Sequence, residues 1–123
     1  MDWKIEVVAM PVTDVDRAIA FYTEKVGYTL DFDHHVSDEV RFVQITPPGS
    51  ACSIVMGNGI TDMTPGTQKG LQVVISDADV AHAELTARGV QVSSIESMPW
   101  GRFIFFADPD GNTWSLQELQ RRG

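Results

Sequence analysis

The chain repeats one order of predicted secondary structure about halfway along its length, and this repeat limits the fold to two copies of one small module. Sliding the sequence by 63 residues places residues 12–14 (VTD) on residues 75–77 (ISD) and one predicted helix on another. In each copy an apolar strand leads to an acidic helix start, an amphipathic helix that ends at a glycine, and three more strands. The sequence therefore predicts two tandem β-α-β-β-β modules in one domain of 123 residues.

Module one is predicted to occupy residues 1–57. Its helix begins near Asp14, carries Val15 and Tyr22 on one apolar face, and runs to about Val26. Gly27 follows at the position where a left-handed cap residue is favoured. The predicted strands of module one span residues 5–12, 28–35, 39–46 and 51–57.

Residues 58–69 are rich in turn-forming residues and are predicted to link the modules. Module two then occupies residues 70–123, with a helix at residues 80–87 that is ended by Gly89. Its predicted strands span residues 71–75, 90–95, 102–107 and 113–119, and a turn with the sequence DPDGN joins the last two.

The composition argues against several classes of protein. Nine Lys plus Arg oppose seventeen Asp plus Glu, for a formal net charge of -8, so nucleic acids and anionic membranes are not expected partners. No apolar run approaches the roughly 18 residues that span a bilayer, and the first residues do not resemble a signal peptide, so we expect a cytoplasmic protein. The single Cys52 excludes an internal disulfide and a Cys-pair metal motif.

Two segments carry a family resemblance: MPVTDVDRAIAFYTEKVGY at residues 10–28 and WGRFIFFADPDGNTWSLQ at residues 100–117. In a tandem β-α-β-β-β repeat they resemble the vicinal oxygen chelate (VOC) superfamily, which includes glyoxalase I, bleomycin resistance proteins and extradiol dioxygenases. The resemblance implies an α+β glyoxalase/bleomycin resistance fold, in which two modules form a cup-shaped mixed sheet with the helices on the convex face. It also implies a ligand in the cup and a homodimer, and it leaves open whether one chain or two build each cup.

The resemblance also implies where a metal would bind. Metal-using members hold a divalent cation with four inward side chains, mostly His and Glu, from the first and fourth strands of each module. Here those places fall at Val7, in the ACSIVMG strand, at about Gly70, with Gln72 the next side chain on the same face, and at Ser115. Valine and glycine offer no donor side chain, and the ACSIVMG strand contains no His, Asp or Glu. We therefore predict no catalytic metal and no cofactor.

The same positions predict which side chains line the cup. If the four places face inward, the alternation of a strand directs Trp114 and Leu116 toward the helices. The inward set is then small, polar and uncharged, and comprises Val7, Ala9, Gln72, Val74, Thr113, Ser115 and Gln117.

Further ligand contacts are predicted from loops and from the other strands. Trp100, Arg102 and Phe103 are candidates on one side, with Phe42, Gln44, Cys52 or Ile54 across the cup. Arg102 has two equal interpretations, a clamp for a ligand carboxylate or a partner for one of the many acids. Cys52 is interpreted as an inert thiol, and no catalytic residue is identified. The predicted ligand-binding set is Val7, Gln44, Cys52, Gln72, Trp100, Arg102, Phe103 and Ser115.

Three functions fit these observations. The favoured hypothesis is a metal-independent protein that binds or sequesters a small aromatic or cationic molecule, as in the bleomycin resistance branch. The second is a glyoxalase-like lyase, isomerase or dioxygenase that acts on a small carbonyl or catechol substrate. The third is a regulatory dimer with a vestigial cup, and ligand binding of any kind distinguishes it from the first.

Overall fold

The computed structural model of the chain describes residues 1–119, so the last four residues of predicted module two, 120–123, lie outside the described residues. Sheet 1 contains four strands in the order β1-β4-β3-β2. Strands β1 and β4 are parallel, with Val7 opposite Ser53, and the other neighbours are antiparallel. The bounds are β1 Val7–Ala9, β2 Thr29–His35, β3 Arg41–Thr46 and β4 Ser53–Asn58.

Sheet 2 repeats the arrangement in the order β5-β8-β7-β6. Strands β5 and β8 are parallel, with Gln72 opposite Ser115, and the other neighbours are antiparallel. The predicted pair of β-α-β-β-β modules is therefore confirmed. The bounds are β5 Leu71–Ile75, β6 Glu96–Met98, β7 Gly101–Ala107 and β8 Thr113–Leu119.

The first helix follows its sequence signals closely. Helix α1 spans Val15–Ala20, and the Asp14 side chain caps it by accepting a hydrogen bond from the backbone N–H of Arg17. It continues as a π-helical segment, Phe21–Val26, which ends at Gly27 with a φ of 92°. A glycine suits that left-handed conformation because it has no Cβ to clash with the backbone.

The second module differs from prediction at two places. Helix α2 spans Ala78–Ala87, two residues more than the predicted 80–87. Asp77, part of the predicted helix start, caps it by accepting a hydrogen bond from the backbone N–H of Val80. The strand predicted at residues 90–95 is wrong, and the strand lies instead at Glu96–Met98.

Residues 90–95 are apolar for a reason other than strand formation. Val90 is buried in the core, and Val92 and Ile95 pack against it. Ser93 holds this irregular segment to the next strand, because its N–H donates to the Phe105 carbonyl and its Oγ accepts from the Phe105 N–H. The segment therefore fills the core without forming a ladder.

In module one, strand β1 is shorter than the predicted residues 5–12.

One hydrophobic core joins both sheets and both helices. Tyr22 lies at its centre, fully buried, with its ring 5.8 Å from the ring of Tyr28 and 5.8 Å from that of Trp114. Trp114 in turn stacks on Phe106 at 6.1 Å. The sheets supply the rest of the buried layer, with Val43, Ile45, Ile54 and Met56 from sheet 1 and Ile104 and Leu116 from sheet 2.

A buried polar network fastens the DPDGN turn to module one. The Tyr22 hydroxyl donates to Asp108 Oδ2 at 2.8 Å, and Trp114 Nε1 donates to the Tyr22 oxygen at 3.0 Å. Asn112 Nδ2 donates to the same carboxylate oxygen and to the Pro11 carbonyl, each at 2.8 Å. These bonds satisfy polar groups that would otherwise be costly to bury.

Within residues 1–119 no helix is long and apolar enough to cross a membrane.

Candidate ligand-binding surface

Each sheet has one face against the core and one face that points away from the helices, which we call the helix-free face. In sheet 2, Ile104 and Leu116 lie opposite each other on neighbouring strands, and both are buried in the core, so they mark the core face of the sheet. The residues between them along the strands point the other way. The helix-free face of sheet 2 carries Gln72, Val74, Phe103, Phe105, Ser115 and Gln117.

A continuous row of hydrogen-bonded side chains crosses this face, and we call Ser115, Gln72 and Gln117 the amide row. Ser115 Oγ donates to Gln72 Oε1 at 3.2 Å, and Gln72 Nε2 donates to Gln117 Oε1 at 2.7 Å. Gln117 Nε2 then donates to the Trp100 carbonyl at 3.1 Å. The row is polar and uncharged, and the bonds hold its amides in one orientation.

Aromatic rings flank the amide row. Phe103 and Phe105 lie on the neighbouring strand with parallel rings whose centroids are 6.2 Å apart. Phe103 faces Gln117 and Phe105 faces Ser115 in the strand register. Trp100 stands in the turn between β6 and β7 and is 61% exposed. Polar and aromatic groups thus share one face, on which Gln72 is exposed and Phe105 half-buried, while Phe103, Ser115 and Gln117 are buried.

The helix-free face of sheet 1 carries a second polar group. Gln44 Nε2 donates to Ser53 Oγ at 3.4 Å, and the Ser53 and Thr46 hydroxyls are 2.5 Å apart. Thr46 also donates to the Asp31 carboxylate. The rings of Phe32 and His34 stack at 5.6 Å on the edge strand β2.

Most of the predicted ligand-binding residues lie on these two faces. Trp100 stands at the edge of the sheet 2 face, and Cys52 is half-buried just before β4 with its thiol 3.7 Å from the Ser53 carbonyl. Ile54, an alternative contact, is buried in the core instead. On the helix-free faces the structure places Val7, Gln44, Gln72, Phe103 and Ser115.

Arg102 is misplaced by the prediction. It points to the helix side of sheet 2, where its guanidinium binds Asp79 of α2 at 3.0 and 3.2 Å and Glu118 of β8 at 3.4 Å. The reason is strand alternation, because a residue next to Phe103 on β7 must face the opposite way. The hydrogen bond from Arg102 holds the pKa of the Asp79 carboxyl below its ordinary value. Of the two interpretations of Arg102, the structure supports pairing with acids.

Sequence reasoning missed several residues on these faces. Thr46 follows from Gln44 by alternation along β3, a signal that was present in the sequence. Phe32 and His34 were not detectable in this way, because a register shift between Leu30 and Phe32 changes which residues of β2 share a face. Phe105 was not among the predicted ligand contacts, and it faces Ser115.

The side chains at the family's metal positions do not form a metal site. Val7 offers no donor, and the amide of Gln72 is already bonded to Ser115 and Gln117. Hydroxyl and amide groups engaged with one another are a weak ligand set for a divalent cation. In the part of the chain that the structure describes, no three His, Cys, Asp or Glu side chains come together as a possible metal site.

The two helix-free faces are separate within one chain. Strand β1 is an edge of sheet 1 and β5 is an edge of sheet 2, and the two strands do not pair. The outer edge of β5 borders a cavity of about 720 Å³ whose walls include no residue of β1. Among the described residues no hydrogen bond joins one helix-free face to the other.

The fold and this surface define the class of protein. A family model for the Glyoxalase/Bleomycin resistance protein/Dioxygenase superfamily matches residues 4–116, and the chain belongs to that family.

Individual relatives agree with this assignment. The chain is 30% identical to YetH of Bacillus subtilis (strain 168), over 94% of this chain and 98% of that protein. It is similar to the crystal structure of TnmS3, an antibiotic binding protein from Streptomyces sp. CB03234, with a TM-score of 0.88, 34% identity, and coverage of 97% and 98% of the two chains. A glyoxalase/bleomycin resistance protein from the same organism has a TM-score of 0.83 at 36% identity, over 94% of this chain and 100% of that one.

Proposed function

We propose that the chain is a metal-independent small-molecule binding protein that holds a flat aromatic ligand over the helix-free face of sheet 2. The observation that carries the proposal is the amide row beside the parallel rings of Phe103 and Phe105. Oriented amides and a hydroxyl select a ligand by hydrogen bonding, and the half-buried Phe105 and the exposed Trp100 supply apolar contact area. The similarity to TnmS3, an antibiotic binding protein, supports a small-molecule ligand.

The chemistry of the amide row favours binding over catalysis. Amide and hydroxyl side chains do not titrate near neutral pH, so they orient a ligand but do not serve as general acids or bases. Ser115 would need an adjacent base to become a nucleophile, and its hydroxyl donates to the Gln72 amide oxygen instead. A ligand over this face therefore meets groups that hold it rather than groups that transform it.

The charge of the chain bears on which ligands it takes. A net charge of -8 favours a cationic molecule over an anionic molecule of the same shape. A flat cation also gains from stacking on aromatic rings such as Phe105 and the exposed Trp100. We therefore propose a neutral or cationic aromatic ligand.

The cup is proposed to form in a homodimer. Within one chain the helix-free faces of sheets 1 and 2 are separate, and each has an unpaired edge strand. A two-fold dimer that sets β1 of one protomer beside β5 of the other brings sheet 1 of one chain opposite sheet 2 of its partner. Each dimer would then contain two cups, each with polar and aromatic groups on both walls.

The test is a binding titration with flat probes of different charge. Proflavine serves as the cation and anthraquinone-2-sulfonate as the anion, with binding followed by calorimetry. Ser115→Trp and Gln72→Trp place a large ring in the proposed site and are expected to weaken proflavine binding at least about tenfold. The matched control is Val36→Trp, which adds the same ring at an exposed position between β2 and β3.

Three results would count against the proposal. Unchanged proflavine affinity in both sheet 2 variants would place the site on another face. Tighter binding of the anion than of the cation would contradict the electrostatic argument. Conversion of a bound probe to a product, detected by chromatography after prolonged incubation, would favour the enzyme hypothesis.

A further inference from the structure

The polar side chains on the helix-free face of sheet 1 form a row that ends at a charge. The row runs from Gln44 through the Ser53 and Thr46 hydroxyls to the carboxylate of Asp31 on β2. We call these four residues the hydroxyl row. Asp31 and its neighbour Phe32 both reach this face, because the register shift in β2 falls at this point of the strand.

The hydroxyl protons fix the direction of the row. Each hydroxyl can donate only one hydrogen bond. Thr46 donates to Asp31, so in its 2.5 Å contact with Ser53 it must accept, and Ser53 is the donor. Ser53 accepts in turn from the Gln44 amide. All the protons of the row therefore point toward Asp31, and its carboxylate is the last acceptor.

The hydroxyl row offers a ligand acceptors and a negative charge. Both hydroxyl protons are used within the row, whereas Oδ1 of the exposed Asp31 accepts no hydrogen bond within residues 1–119. Arg41 of the neighbouring strand lies on the helix side of sheet 1, where it pairs with Asp16 and Asp33. No Lys, Arg or His side chain in the described part of the chain forms an ion pair with Asp31.

The amide row of sheet 2 offers the complementary group. A Gln amide carries two N–H groups, and Gln72 uses one of them in its bond to Gln117. Gln72 is exposed, so its second N–H is available to a carbonyl or ring nitrogen of a ligand. A ligand between the two rows would meet a donor on one side and a charged acceptor on the other.

We infer that Asp31 of one protomer is the counter-ion of the ligand that lies on the amide row of the other protomer, and that this ligand carries an N–H donor on its cationic edge. The inference rests on the proposed function and its dimeric cup. It narrows the ligand to aromatic amines, amidines and protonated ring nitrogens. A hydrogen bond to a charged acceptor is stronger than a neutral one, and it selects a ligand by direction as well as by charge.

The position of Asp31 in the sheet agrees with this role. Strand β2 is the strand of sheet 1 farthest from β1, and β6 is the strand of sheet 2 farthest from β5. In the proposed cup, β1 of one protomer lies beside β5 of the other, so β2 and β6 form its two rims. Asp31 then stands on one rim, and the turn that carries the exposed Trp100 forms part of the other.

A directed carboxylate has different consequences from the net charge of the chain. Attraction by a net charge of -8 depends little on which acidic side chain is removed. A counter-ion acts through one side chain at one place. Two Asp→Asn substitutions that change the net charge equally therefore separate the two effects.

The first experiment compares Asp31→Asn with Asp38→Asn by calorimetric titration with proflavine. In Asp31→Asn the amide oxygen is held toward Thr46, so the NH2 group faces the ligand with a donor in place of an acceptor. The affinity for proflavine is expected to fall at least about tenfold. Asp38 is exposed in the connection between β2 and β3, and its substitution is expected to change the affinity less than about twofold. Equal effects in the two variants, or an unchanged affinity in Asp31→Asn, overturn the inference.

A second ligand tests the N–H donor. Acridine orange has the ring system and the charge of proflavine, with methyl groups in place of the amino hydrogens. The ratio of proflavine affinity to acridine orange affinity is expected to fall at least about fivefold in Asp31→Asn. A ratio that the substitution leaves unchanged contradicts the assignment of Asp31 as the hydrogen-bond acceptor.

A third experiment tests whether the two rows of one cup come from different chains. Asp31→Asn and Gln72→Trp chains with different affinity tags are co-expressed, and the doubly tagged dimer is purified. If each cup combines sheet 1 of one chain with sheet 2 of the other, both substitutions fall in one cup and the second cup is intact. One site per dimer with the affinity of the unmodified protein is therefore expected. Weak binding at both sites overturns the assignment of Asp31 to the ligand of the other protomer.

The inference and the proposed function fail in different ways. If Asp31→Asn binds proflavine as the unmodified protein does while Gln72→Trp does not, the inference is wrong and the proposed function stands. If Asp31→Asn loses binding while Gln72→Trp and Ser115→Trp retain it, Asp31 is the counter-ion and the proposed site on sheet 2 is wrong. An unmodified protein that binds no proflavine contradicts both.

Discussion

Two adjacent tyrosines, Tyr22 and Tyr28, offer a matched test of the buried polar network. Their rings stack at 5.8 Å and both are buried, so each Tyr→Phe substitution removes one oxygen from the same part of the core. The Tyr22 hydroxyl bonds with Asp108 and Trp114, whereas the Tyr28 hydroxyl has no hydrogen-bond partner among residues 1–119. Burial raises the pKa of both hydroxyls, so both are uncharged.

The hydrogen bonds set the expected magnitudes. Tyr22→Phe leaves the Trp114 N–H without an acceptor and removes one donor from the Asp108 carboxylate. A buried group left without a partner costs about 1–3 kcal/mol, and more when it is charged, so the expected loss of stability is about 2–4 kcal/mol. Tyr28→Phe removes a hydroxyl that is buried without compensation, so it is expected to be neutral or to stabilise by about 1 kcal/mol.

Urea unfolding followed by near-UV circular dichroism measures the difference. All three proteins are compared at one concentration, because the stability of a dimer depends on concentration. The expected result is a lower midpoint for Tyr22→Phe and an unchanged or higher midpoint for Tyr28→Phe, with similar slopes. Equal losses in the two variants would refute the reasoning, since ring packing rather than hydrogen bonding would then control stability.

Three further predictions concern single residues elsewhere. Arg41 donates hydrogen bonds to Asp33, and these bonds lower the pKa of the Asp33 carboxyl. The pair therefore stabilises the fold fully at a pH above the ordinary Asp pKa of about 3.9. This stabilisation is lost as the pH falls through the lower pKa of the folded state. Arg41→Gln is expected to cost about 1 kcal/mol at pH 7 and to flatten the acid limb of the unfolding profile, and an unchanged acid limb would contradict this. Gly57→Ala would place a Cβ 1.8 Å from the Arg41 carbonyl at a φ of 146°, so a loss of about 2–4 kcal/mol in thermal unfolding is expected, and full stability would contradict the geometry. Arg102→Gln is expected to leave proflavine affinity unchanged within about twofold, because its guanidinium lies on the helix side, and a tenfold loss would return Arg102 to the site.

Local signals predicted much of the fold. Strands β5 and β8 match their predicted bounds. The apolar run of β5 ends at the acidic helix start, and the alternating pattern of β8 begins directly after the DPDGN turn. The caps at Asp14 and Asp77 were readable for a similar reason, since a side chain that caps a helix acts within three residues of itself. Residues 90–95 were misread because an apolar segment that fills a core and one that forms a strand share the same composition.

The candidate site was predictable only where strand alternation is regular. Gln72 and Ser115 face the same side because β5 and β8 pair without interruption. Arg102 was predicted on the same side as Phe103, although the two are neighbours on β7 and strand alternation puts them on opposite faces. Phe32 was missed because the bulge in β2 resets which residues share a face, and a bulge is determined by the partner strand.

The sequence by itself determined the two-module architecture, the capped helices and the lack of a metal-binding donor set at the family's positions. Each of these depends on residue type and on spacing within a few turns of chain. The tertiary structure alone decided that Ser115, Gln72 and Gln117 join in one hydrogen-bonded row and that Tyr22 meets Asp108 across 86 residues. It also decided that the edge of β5 stands open beside a cavity lined by both polar and apolar side chains. The physical reason is that these features are contacts between distant segments, and such contacts exist only after the two sheets have packed on their shared core.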